Sequence, residues 1–88
     1  SYVPSSAVAV KITDDAMCDT YKKGSYVFVE FNTPLNHRDY GLFSFNDQVI
    51  IRQFHVRKGK ITLKANNENF EDLTVTDSDK FYIIGKIL

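Results

Sequence analysis

Cys18, His37 and His55 are the side chains in this sequence with the types to act as nucleophile or base near neutral pH. Cys18 stands in "DDAMCDT", residues 14–20. A thiol becomes reactive when a base or a positive field lowers its pKa. The nearest candidate is His55, three residues beyond Arg52 in "IIRQFHV". If that segment is a strand, residues 52 and 55 point to opposite faces. We therefore read Cys18 as a plain free thiol. His37 lies in the polar loop "NTPLNHRDY" and reads as solvated. Two isolated histidines do not make a zinc site, and no metal or cofactor is expected. The acidic stretch "NFEDLTVTDSD" lacks the spacing of a calcium loop. "RQFHVRKGK" mixes basic and aromatic residues, as single-strand nucleic-acid platforms do. Its aromatics are few, and 11 Lys and Arg balance 11 Asp and Glu, so a solvated hairpin is the better reading.

The elements that carry these residues read as strands. "AVAVKI" (7–12), "SYVFVEF" (25–31), "GLFSF" (41–45), "QVIIRQFHVR" (48–57), "KITLKA" (60–65), "LTV" (73–75) and "KFYIIGKIL" (80–88) are rich in β-branched and aromatic residues. Asn46-Asp47 and Lys58-Gly59 have the composition of two-residue hairpin turns. Pro34 keeps residues 32–40 out of a central strand. At most one helical turn fits, near residues 16–22. The fold class is mostly β: a compact bent sheet or partial barrel of about seven short strands.

With 88 residues the chain is one domain with a modest core. Residues 1–6, "SYVPSS", read as a linker remnant and 7–88 as the domain. A balanced charge gives no nucleic-acid footprint from composition. A single cysteine fits a reducing cytoplasm. No apolar run is long enough to span a bilayer, so no membrane role is expected.

The order of motifs says more. "DDAMCDTYKKGSYVFVE" resembles the "GDSM-x-P-x-x-x-x-GD-x-V-x-V" signature of the C-terminal domains of LexA and phage CI-type repressors. "RDYGLFSFNDQVIIRQF" and "GKITLKANNENFEDLTVTDSDKFYIIGKIL" look like the two later segments of that pattern, over residues 7–88 in all. The family is one of self-cleaving serine peptidases with a Ser-Lys dyad. The resemblance places its serine at Ala16, flanked by Asp15 and Met17 in a vestigial cleft, and its lysine at Arg52. Ala16 has no nucleophile, and Arg52 stays protonated and is a poor base. No Ala-Gly or Cys-Gly pair, the family's cleavable bond, precedes Ala16.

The expectation is therefore a catalytically inactive relative, not an enzyme. It would be the oligomerisation domain of a bacterial phage-type transcriptional repressor, acting in lysogeny in the host cytoplasm. Operator DNA would be bound through an N-terminal domain, and an antirepressor protein could replace self-cleavage as the trigger. The resemblance also implies a homo-oligomer, a dimer or larger. Its interface falls on the last strand, at Phe81, Tyr82, Ile83, Ile84, Ile87 and Leu88, because apolar residues occupy both sides of the alternation there. Two other readings compete. One is a fragment of an active self-cleaving peptidase disabled at Ala16, in which Ala16→Ser with the upstream linker supplied would restore cleavage while Arg52 is kept. The other is a pseudo-peptidase module that holds a peptide in its empty cleft.

Overall fold

A computed structural model describes residues 3–88; of the expected linker, Ser1 and Tyr2 lie outside the described residues. Seven strands form one antiparallel, open sheet, and there is no helix among the described residues. They are β1 (Val8–Lys11), β2 (Tyr26–Phe31), β3 (Tyr40–Phe45), β4 (Gln48–Arg57), β5 (Lys60–Lys64), β6 (Leu73–Thr74) and β7 (Phe81–Ile87). The spatial order is β1-β2-β7-β3-β4-β5-β6, so β1 and β6 are the edges and the last strand is internal. The expected helical turn at 16–22 is a chain of turns, with the Thr20 and Tyr21 N–H groups both donating to Met17 O.

Both expected hairpins form. Asn46 and Asp47 have φ of 49° and 68°, and Lys58 and Gly59 have 50° and 75°. Positive φ at both central positions is the backbone of a type I′ turn, whose twist matches the strands it joins.

The core is split across the sheet. Leu42, Ile51, Val27, Val29 and Ile87 cluster on one face with Ile12 and Met17 of the β1–β2 connection. Phe43, Ile50, Phe54 and Leu63 cluster on the other, with Phe45, Val56, Ile61, Leu73 and Phe81 packed around them. Neighbours in β3 and β4 thus serve opposite clusters, which is why those strands read as continuous apolar runs.

The apolar pattern of β7 has a different cause from the one expected. The register slips between Leu42 and Phe43: Leu42 faces Gly85, Phe43 faces Ile83, and Ile84 is the extra residue. A bulge of this kind shifts the alternation by one. Phe81 therefore joins the second cluster while Ile84 and Ile87 pack with the first. Apolar residues on both parities reflect this phase shift and need no second subunit. Of the six expected interface residues, Ile87 is buried at 5% exposure and Phe81 and Ile84 are half-buried within the chain's own core. Tyr82 (67%), Ile83 (44%) and Leu88 (49%) remain exposed.

Candidate functional site

The β1–β2 connection starts with Ile12 pinned to β2, its N–H donating to Ser25 O and its carbonyl accepting Gly24 N–H. Asp14 then caps the next turn: its Oδ1 accepts the Ala16 N–H at 2.9 Å. Its other oxygen lies 3.8 Å from the Arg52 guanidinium. Asp14 therefore bridges the two positions singled out in sequence, and β4 and the connection hold them in one neighbourhood.

The site is closed from above. Ala16 has no exposed surface and Met17 is buried, whereas Asp15 stays at the surface. The carbonyl of Ala16 accepts the N–H groups of Asn66 and Asn67, at 2.9 and 3.1 Å. Asn67 Nδ2 donates to Asp15 O at 3.0 Å, and Asn66 Nδ2 donates to Thr20 Oγ1 at 2.7 Å. Farther along that loop the Phe70 ring lies 5.8 Å from the Arg52 guanidinium carbon. Asn66, Asn67 and Phe70 were not singled out in the sequence; their signal was the amide-rich "NNENF" after a strand, which reads equally well as an ordinary polar loop.

Arg52 is 5% exposed. Its Nη1 donates to Ile51 O at 2.8 Å, and its Nε has no partner. Burial lowers its pKa, and Asp14 and then Asp72 oppose that shift. A guanidinium starts so high that it remains a cation. Asp14 is the partner Arg52 finds; Asp15 is not.

The other chemistry-bearing residues lie elsewhere. Cys18 is half-exposed beside Asp19, Asn66, Asn67 and Glu68. That lining holds no histidine or cation, and the thiol points toward the Asp19 carboxylate at 3.9 Å. His55 is on β4 facing Thr62 of β5, away from Cys18's surroundings. His37, expected to be merely solvated, packs edge-on against His55 with ring centroids 4.9 Å apart. Its Nδ1 accepts the Val56 N–H at 3.1 Å. Among the described residues no three His, Cys, Asp or Glu side chains converge in a way that would hold a metal ion.

The layout is that of an all-antiparallel β domain whose first long connection and fourth strand meet beneath a polar loop. The chain belongs to the Peptidase S24-like family, whose model matches residues 2–88. That match takes in most of the stretch expected to be a linker. No curated protein matches the sequence.

Proposed function

We propose that this chain is a catalytically inactive S24-like domain that works by self-association, as the oligomerisation domain of a LexA-like or phage-type repressor. The observation that carries assembly is a half-open strand inside the sheet. β2 pairs with β7 only from Gly85 to Ile87, because β2 stops at Phe31. On that side, Phe81–Ile84 has no strand beside it, although β3 covers the other side. Exposed apolar residues surround this gap. Tyr82, Ser44 and Val49 form one row across β7, β3 and β4, with Tyr82 67% and Val49 60% exposed. Phe31 ends β2 beside them, 42% exposed. A depression of about 180 Å³ lined by Val10, Ile12, Leu42 and Val49 adjoins the row.

Two copies related by a two-fold axis would add strand to strand at Phe81–Ile84, with Tyr82 and Ile83 near the axis. Inactivity is supported by Ala16, which supplies no nucleophile, and by Arg52, which cannot act as a neutral base. The closure of Ala16 beneath Asn66 and Asn67 weighs against a peptide-holding cleft. In the full repressor the dimer would hold two N-terminal DNA readers at fixed spacing, so that the second contact becomes intramolecular.

Sedimentation equilibrium tests this. We expect a dimer or larger species for the unmodified chain, monomer for Tyr82→Asp, and no change for Tyr26→Asp, which alters an exposed residue on the other face of β2. Ile84→Asp is a poor probe, because Ile84 packs into the first core cluster. A monomer at every concentration, or dissociation by Tyr26→Asp alone, would overturn the reading.

A further inference from the structure

The β4–β5 hairpin concentrates positive charge in a chain with none to spare. Between Gln48 and Asn67 the sequence holds Arg52, Arg57, Lys58, Lys60 and Lys64 and no Asp or Glu, although the whole chain has net charge +0. Arg52 is turned into the covered site; Arg57, Lys58, Lys60 and Lys64 are exposed. Register places Arg57 opposite Lys60, His55 opposite Thr62, and Gln53 opposite Lys64. All six belong to the face opposite Phe54, Val56, Ile61 and Leu63, which enter the second core cluster. β6 extends that face with Thr74 opposite Thr62.

Arg38 borders the same surface. Its N–H donates to Phe54 O at 2.6 Å, and its carbonyl accepts Gln53 Nε2 at 3.0 Å. His55, Arg57, Lys60, Thr62 and Lys64 line a depression of about 200 Å³. Among the described residues the ion pairs are Arg52–Asp14, Lys80–Asp47 and Lys86–Asp39, so Arg38, Arg57, Lys60 and Lys64 are unpaired. Their field reaches His55, whose pKa is lowered first by burial and then by Lys64, His37 and Arg38, with Asp72 opposing.

Like charges kept together with no ion-pair partner and only Asp72 nearby cost stability, and they favour an anionic occupant. The chemistry of the face selects among anions. The one exposed large hydrophobic residue on this side of β4, Val49, lies at the far end of the strand, six residues before His55. A protein partner would need aromatic or aliphatic anchors at the centre of its interface. A single-strand platform would need exposed aromatic rings for bases to stack on. Unpaired Arg and Lys interspersed with Thr hydroxyls are the groups that contact phosphate oxygens.

We propose that this face is a sequence-independent contact for the phosphate backbone of duplex nucleic acid, made by Arg38, Arg57, Lys60 and Lys64. It stands at the hairpin end of the sheet, away from the Tyr82 row, and does not require the chain to dimerise.

Fluorescence anisotropy with a labelled DNA duplex of arbitrary sequence tests it, with salt varied from about 50 to about 200 mM. Binding should be weak, with Kd about 10⁻⁴–10⁻⁶ M at the upper end. The logarithm of affinity should fall with that of salt with a slope of about −3 to −4, for four neutralised phosphates. Arg57→Gln with Lys60→Gln should weaken binding at least about tenfold at low salt and reduce the slope by about 2. Lys22→Gln with Lys23→Gln, on the β1–β2 connection, should leave both unchanged. The same titration on Tyr82→Asp separates this face from assembly, because sedimentation reads one and anisotropy the other. No anisotropy rise at low salt would overturn the proposal. So would equal loss in the Lys22/Lys23 variant, or poly-glutamate competing as well as unlabelled duplex, which would point to an acidic protein.

Discussion

Arg52 is a buried cation held loosely. It has one short hydrogen bond to its neighbour's carbonyl, an Asp14 oxygen 3.8 Å away, and an unpartnered Nε. Removing a charge from water is repaid only when its geometry and hydrogen bonding are good, and here the partner that Arg52→Met would leave behind, Asp14, is 41% exposed and stays hydrated. Arg52→Met should therefore leave the urea midpoint unchanged or raise it. Arg52→Ala, which also empties the volume beneath Phe70, should lower stability by about 2–4 kcal/mol. A large loss in both variants would mean that the cation itself holds the loop. At this scale the sequence was a partial guide. The motif picks out Ala16 and Arg52 as positions to compare, and the structure brings both to Asp14. The lid is a different matter: Asn66 and Asn67 meet Ala16 some fifty residues away, a contact set by topology and not by any local pattern. The same holds for His37 against His55, where an isolated loop histidine packs on a strand and its Nδ1 accepts the Val56 N–H.

Strand β7 shows what an element can hide. Its turns and its strand character are legible from composition, but a bulge leaves no mark in an apolar run, so its parity was misread as two-sided cover. The bulge also explains Gly85. A Cβ there would lie 2.6 Å from Glu30 O and 2.7 Å from Val29 Cγ1, a clash with backbone that no rotamer relieves. Gly85→Ala should destabilise by about 1–3 kcal/mol, read as a fall in Tm of several degrees, and should loosen the β2–β7 pairing. Ahead of β7, Asp79 ties two turns together. Its carboxylate accepts Asn46 Nδ2 at 2.9 Å and the Thr76 N–H at 2.8 Å, with the Thr76 hydroxyl at 3.0 Å. These bonds, Asn46's first, hold its pKa below the ordinary carboxylate value. As pH falls, the unfolded chain takes up this proton before the folded one does. The stabilisation is present above about pH 3.9 and is lost as pH falls through the lower folded value. Asp79→Asn should lower Tm at neutral pH and flatten the acid limb of the Tm–pH curve; an unchanged acid limb would assign that slope to other carboxylates.

Across the whole molecule, neutrality conceals a division of labour. Asp14, Asp15 and Asp19 sit in the first connection and Glu68, Glu71, Asp72, Asp77 and Asp79 in the loops after β5, while the β4–β5 hairpin between them is wholly cationic. A summed charge misses such segregation, which is why composition gave no basic footprint while the β4–β5 surface carries one. The proposed assembly surface at Tyr82 and the proposed phosphate contact at Lys60 lie on separate parts of a body only 35 × 27 × 22 Å across. The fold class itself was open to reading, since seven strand-like runs and two turn dipeptides are local features. The neighbour order was not, because it depends on which distant strands meet.

That order has a consequence in time. β7 follows the other six strands in the described residues, yet it lies between β2 and β3 and joins them. Without β7 in place, β1–β2 and β3–β6 are two ribbons that no strand joins among the described residues, and the core they share is open to water. Closing the sheet therefore has to wait for β7, and before it docks the edges of β2 and β3 that face it are bare.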